Sequence, residues 1–441
     1  MKRRSLSLIL LWLITFSGIA GAQDLKAITG ATLVDVPNGR TVPNAVIVID
    51  GTRIVQVGPA DQTTLPPNAV RIDASGKFVM PGLADMHNHL GVGSLGVRPN
   101  PKGNLARLIA VGVTTVFNPS SSKSEFADLK SSAAQDASPY PHFFGTGPII
   151  TVEGDTFGAG VGAATPRTVA EAQAVVRDLK AAGVDAIKIE RDDLSWCSSF
   201  RLPLMNLDVL TALIKEAHDQ NLRAYVHAPL LDQAKEALRA GADGLMHGII
   251  DKPVDAEFID LMKRNRAFYI PTLSLYEDIA DVGGWARRQS SFDQRKVLPA
   301  AIYDAVGSPA AVAQFNAIFD KARFAKDHLP TTRANVRKVA DAGVPVVLGT
   351  DTGFLGVMLG VSTALELRLL VDAGLKPAEA LRAATIDAAR MVGREKDMGL
   401  VAKGYLADLV ILNANPLENI QDVRDIFRVI KGGVVIDPVL P

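Results

Sequence analysis

The middle of this 441-residue chain repeats one rhythm, a short apolar run followed by a segment of helical periodicity, and that rhythm leaves few architectures open. "FVMPGLADMHNH", "GVTTVFNP", "HFFGTGPIIT", "DAIKIE", "RAYVHA", "GLMHG", "FYIPTL" and "VPVVLGTD" are the runs, eight in all. Strands this short, separated by helices, pair in parallel and need cover on both faces. The expectation is an α/β fold, a (β/α)8 TIM-like barrel over residues 81–397, with its chemistry where the strands end. The intervening helices carry end signals. Thr168-Val169-Ala170-Glu171 reads as a capping box, Val169, Ala172, Val176 and Leu179 recur on one face, and Gly183 supplies the stop. In "LDQAKEALRAGADGLMHG", Asp232 is the expected start and Gly241 the stop. Trp285 to Leu329 reads as a helical insertion after the seventh run.

The two ends of the chain have a different texture. "LKAITGATLVDVPNGRTVPNAVIVIDGTRIVQVGP" near the start, and "ADLVILNANP" and "IFRVIKGGVVIDP" near the end, alternate β-branched residues with turn signals. They predict one small β-sandwich domain built from residues 23–80 and 398–441. Before it, Lys2, Arg3 and Arg4 lead into an apolar run from Leu6 to Ile14 and then Ala20-Gly21-Ala22, the pattern of a cleaved signal peptide over 1–22. Export to the periplasm or beyond is therefore expected, with no stable membrane anchor after cleavage. One cysteine, Cys197, leaves stability to packing and reads as a free thiol. Lysine plus arginine and aspartate plus glutamate both number 47, so no basic field exists to attract nucleic acid; the expected partner is a small molecule.

Chemistry concentrates at the run ends. In "GLADMHNHLG", strand alternation places Asp85, His87 and His89 on one face, the imidazoles roughly 6–7 Å apart, close enough to converge on one ion. His227 and His247 close the fifth and sixth runs, and Asp351 closes the eighth. The other three of the seven histidines, His142, His218 and His328, lie elsewhere and read as packing or surface residues. Lys188 sits in an apolar strand, sharing a face with Ala186 and Glu190. A bare ammonium there is costly unless it pairs with Glu190 or Asp192, or loses its proton and reacts with carbon dioxide to give a carbamate able to bridge two cations. Asp85 either orients a histidine from behind or makes a rim hydrogen bond. Tyr276, past the seventh run, is the candidate substrate contact. The glycines of "GTDTGFLG" suit close backbone approach better than phosphate binding, since an aspartate lies among them.

"PGLADMHNHL", "GVDAIKIE", "RAYVHA", "GADGLMHG", "VLGTD" and "LKPAEALRAATIDAARMVG…GLVAKGYLADLVILNANP" together resemble the metal-dependent amidohydrolase superfamily, in its imidazolonepropionase-like and prolidase-like group. The resemblance spans nearly the whole chain after the leader. It implies that His87, His89 and Asp351 hold one divalent ion and His227 and His247 a second, with carbamylated Lys188 between them and zinc the expected metal. It further implies a hydroxide between the ions as nucleophile, Asp351 as general base and acid, and homo-oligomeric assembly, to which residues 285–329 could contribute. The implied reaction is hydrolysis of an amide, in a dipeptide, prolidase-like, or in an N-acyl amino acid. The same nucleophile would serve a lactonase, esterase or phosphotriester hydrolase. A one-metal deaminase falls behind because Lys188 is present and His227-Ala228-Pro229-Leu230 lacks an acid. A non-catalytic binding protein falls behind because the ligand set is complete.

Overall fold

The computed structural model describes residues 25–90, 100–155, 162–353 and 356–437. The expected leader, and parts of the "TVEGDTFGAGVG" and "GTDTGFLG" segments, lie outside them. From the N-terminal side come β1 (Leu25–Asp35), β2 (Arg40–Asp50), β3 (Arg53–Pro59), β4 (Val70–Asp73) and β5 (Phe78–Pro81). A parallel sheet follows, made of β6 (Leu83–Asp85), β7 (Val113–Asn118) and β8 (His142–Gly145). A second parallel sheet contains β9 (Ala186–Glu190), β10 (Arg223–His227), β11 (Gly244–Met246) and β12 (Phe268–Ile270). β13 (Leu409–Leu412), β14 (Ile426–Lys431) and β15 (Val434–Ile436) return to β5.

Seven of the eight expected runs are thus strands. The eighth, 344–351, makes only single bridges, Val346 to Tyr269 on one side and Thr352 to Asn88 on the other. Its sequence explains this: Pro345 has no N–H for a ladder, and Asp351 turns into the left-handed region at φ 63°. The run still touches both sheets, with Val347 N donating to Tyr269 O and Met86 N to Leu348 O, each at 2.9 Å. At the other junction Ile150 bridges Ile189. One apolar cluster draws on every run: Ala84, Met86, Phe117, Phe144, Ala186, Tyr225, Met246, Phe268, Ile270 and Val347. This layer is the floor on which the polar residues of the run ends rest.

The chain ends pair in one ladder, in the order β15-β14-β13-β5-β1-β2-β3 with β4 beside β1, and it folds back far enough for Arg53 to bridge Leu406. The reason is the length of β1. Its first part pairs with β4 through Lys26–Thr29 and its second with β5 through Thr32 and Leu33. Register shifts fall at Ile28/Ala31 and Ala31/Leu33, where bulges bend a strand. The sheet is fastened to β8 by buried charge: His142 Nε2 lies 2.7 Å from Asp408 Oδ2 and 2.9 Å from Lys431 Nζ, and Lys431 also donates to Asp136 O at 2.7 Å.

The helix signals fare unevenly. Thr168 and Glu171 form the reciprocal capping box, and Gly183 and Gly241 take positive φ of 79° and 104°. Asp232 does not cap its helix, which runs Leu231–Arg239; it lies in the first turn paired with Lys252, while Asp251 Oδ1 accepts from Leu231 N. The insertion is helical but wider than expected, from Leu273 to a final helix Ala322–Asp341 that continues through Pro330. Cys197 is buried, and burial raises its thiol pKa. His218 bonds Asp243 at 2.8 Å and His328 stacks on Phe324 at 3.9 Å, so with His142 all three non-site histidines are satisfied. Among the described residues no helix is long and apolar enough to cross a membrane.

Lys431 is fully buried, so removing its counter-ion leaves a charge without compensation. Asp408→Ala is expected to cost about 3–5 kcal/mol, read as a lowered urea midpoint.

Candidate metal centre

β6 stops at Asp85, and the backbone beyond it is held by the eighth run: Asp351 N donates to His87 O at 2.8 Å and His89 N to Thr352 O at 2.6 Å. That pairing turns both imidazoles toward Asp351, whose Oδ1 lies 3.0 Å from His87 Nε2 and 2.9 Å from His89 Nε2. The two Nε2 atoms are 3.2 Å apart. His247, just past β11, and His227, at the end of β10, continue the arc, with ring centroids 4.9 Å from His87 to His247 and 4.3 Å from His247 to His227. Three side chains, His87, His247 and Asp351, bring ligand atoms within 4.8 Å of one another.

The hydrogen bonds decide which nitrogens are free. His247 Nδ1 is engaged by Thr272 Oγ1 at 2.7 Å, leaving Nε2. His227 Nε2 is engaged by Asp192 Oδ2 at 3.0 Å, leaving Nδ1; the same oxygen accepts from Trp196 Nε1 at 2.9 Å. Asp351 Oδ1 is buried and has no hydrogen bond of normal geometry despite its two close imidazoles. Imidazole nitrogens and a carboxylate oxygen crowded to about 3 Å of one another form a donor set that suits a cation. Charge states agree. Burial lowers the pKa of His87 to about 3 and holds that of His247 well below its usual value, so both imidazoles are neutral donors at neutral pH. Burial opposes ionisation of Asp351, yet the His87 and His89 imidazoles outweigh it and hold the carboxyl well below the usual range. Burial pulls Lys188 down to about 8 against the attraction of Asp351 and Glu190. The simple ion pair with Asp192 is not formed, because Asp192 serves His227, Trp196 and the Leu194 amide.

Two sequence expectations change here. Asp85 does not share the histidines' face: it accepts from Asn88 Nδ2 at 2.9 Å, Thr350 Oγ1 at 2.8 Å and Thr363 Oγ1 at 3.3 Å, and touches His87 only through its backbone amide. The alternation argument fails because the strand ends at Asp85. Tyr276 is not an open rim side chain; it is fully buried on the helix Leu273–Ala280, its hydroxyl donating to Gly248 O at 2.5 Å. It steadies the residue after His247. Thr272 and Asp192, which fix the two imidazoles, carried no motif of their own. The positive φ of His247, Thr272 and Asp351, at 145°, 46° and 63°, is strain held by these contacts.

The amidohydrolase family model matches residues 78–437. The chain belongs to the amidohydrolase family. It is an enzyme, a metal-dependent hydrolase of carbon–nitrogen bonds. It is similar to ochratoxinase of Aspergillus niger, 26% identical over 481 residues that cover 94% of this chain and 88% of that protein. Imidazolonepropionase of Cereibacter sphaeroides is 28% identical over 387 residues, covering 85% of this chain and 89% of the relative. Among solved structures, a Xaa-Pro dipeptidase with methionine bound in its active site superposes with a TM-score of 0.74 at 25% identity, covering 94% of this chain and all of the other.

Gly349 packs against the first ligand: a Cβ there would lie 2.5 Å from Ile270 Cγ2 and 2.7 Å from His87 Cβ. Gly349→Ala is expected to displace His87 and lower kcat/KM about 100-fold, measured beside a circular dichroism spectrum that stays native. Thr272→Val frees His247 Nδ1 and is expected to weaken metal retention about tenfold, read as metal content after dialysis against graded chelator.

Proposed function

We propose that this protein is an exported, binuclear amidohydrolase that cleaves the amide of a dipeptide or an N-acyl amino acid. The convergence of four imidazoles, Asp351 and a buried lysine with a lowered pKa carries the reading. His87, His89 and Asp351 would hold one ion, zinc by preference for nitrogen and carboxylate donors, and His227 Nδ1 and His247 Nε2 the other. Lys188, as its carbamate, would link them; its burial beside Asp351 supports a form without positive charge. The two parallel sheets and the run 344–351 are taken as one (β/α)8 barrel, a reading supported by the shared inner cluster.

Bound divalent ions supply an activated water and polarise the scissile carbonyl. The chain does the rest. Asp351, an ionised carboxylate at neutral pH, takes the proton of the attacking water and delivers it to the departing nitrogen, so that the amine leaves neutral. Asp192 and Thr272 keep His227 and His247 in one tautomer and one orientation throughout. The floor beneath is packed by buried apolar side chains, and its one tyrosine, Tyr225, turns its hydroxyl to Met391 O. The Xaa-Pro dipeptidase likeness and the ochratoxinase relative favour an amide over the lactone, ester and phosphotriester electrophiles.

Metal analysis of the purified enzyme is expected to give about two equivalents per chain, with activity lost under chelator and restored by zinc. Lys188→Ala is expected to abolish turnover and to regain part of it in short-chain carboxylates that occupy the vacated bridge. Steady-state rates on N-acyl amino acids, Xaa-Pro dipeptides, lactones and aryl phosphotriesters test the substrate class; inert amides beside rapid lactone turnover overturn it. Recovery from a periplasmic fraction of a chain starting at Gln23 tests export.

A further inference from the structure

The buried helix Val361–Asp372 reaches toward the ligand set from behind in two directions. Glu366, fully buried on it, accepts from Leu273 N at 2.8 Å through Oε1, and from Ser274 N and Ser274 Oγ, both at 2.7 Å, through Oε2. These are first-turn amides of the helix Leu273–Ala280, which have no partner within their own helix. The residue before them, Thr272, makes no capping bond of its own, because its hydroxyl is spent on His247 Nδ1. It stands at φ 46°, a strained conformation for a β-branched residue. Glu366 does the capping that Thr272 forgoes. One helical turn earlier, Thr363 Oγ1 donates to Asp85 Oδ2, which also holds Thr350 and Asn88, neighbours of Asp351 and of both His87 and His89.

We propose that Glu366 is a positioning residue for His247, acting through the Leu273 and Ser274 amides and Thr272, and that Thr363 does the same for the His87/His89/Asp351 side through Asp85. The helix Val361–Asp372 is then a common brace for the two halves of the metal centre, with each half answering to a different residue on it. Glu366 touches neither substrate nor any ligand; its contribution passes through backbone geometry. This inference rests on the binuclear reading above.

The test uses the full enzyme, stripped and reloaded with cobalt(II) at graded free concentrations, with cobalt equivalents and visible spectrum as readouts beside the thermal midpoint. Glu366→Ala is expected to weaken one of the two equivalents about 100-fold and to alter the spectrum. Glu366→Gln keeps one acceptor and turns the other arm into a donor, so about tenfold is expected. Thr363→Val is expected to weaken the other equivalent, so that the double variant Glu366→Gln/Thr363→Val weakens both. Raised cobalt recovers activity in every folded variant. Two equivalents of native affinity and an unchanged spectrum in the Glu366 variants overturn the proposal, even where the thermal midpoint falls. Should Glu366→Ala not fold, Glu366→Gln decides on the same criterion. A native enzyme that takes up no cobalt overturns the binuclear reading itself, and is told apart because the variants are then not needed.

Discussion

Placing four imidazoles, a carboxylate and a lysine amine at one spot with little water is the constraint around which this molecule is organised. Each of those groups is costly to bury unless something answers it, and most cannot answer one another without losing the lone pairs the reaction needs. For two of the imidazoles the fold resolves the conflict by dividing the ring in two. One atom of His227 and of His247 is tied to a neighbour, Asp192 or Thr272, and the other is left for a cation. The same division holds along the backbone, where the eighth run gives up ladder pairing to bring Asp351 beside His87 and His89.

That economy also explains where the sequence could be read and where it could not. Seven of the strands and the gathering of His87, His247 and Asp351 were legible because each has a local signature: apolar runs between capped helices, and histidines and an aspartate at run ends. Thr272 and Glu366 were not, because nothing distinguishes "PTLS" or "ALEL" until the helix Val361–Asp372 lies against the helix Leu273–Ala280. Asp85 and Tyr276 were misplaced for a related reason. Period-two alternation holds only while a strand lasts, and β6 ends at Asp85; Tyr276 follows a strand end but enters a helix at once, which buries it. Side chains that act through other side chains leave no period and no spacing.

The polar groups away from the centre follow the opposite rule. His142, Asp408 and Lys431 pair with one another, and the backbone adds a donor, Gly432 N to Asp408, and an acceptor, Asp136 O for Lys431. Comparing the two clusters separates a structural from a chemical use of the same residue types. In the first no buried side-chain polar atom is left without a partner; in the second Asp351 Oδ1, His87 Nδ1 and His89 Nδ1 are.

Only Gly82 separates β5 from β6, and a Cβ at that position would lie 2.2 Å from the Thr114 hydroxyl. The strand that leads to His87 and His89 is therefore the direct continuation of one whose neighbour, β13, comes from more than three hundred residues later in the chain. During biosynthesis β5 gains its β13 neighbour only after the whole stretch between them has been made, so the ladder leading into His87 and His89 is among the later parts of the structure to be completed.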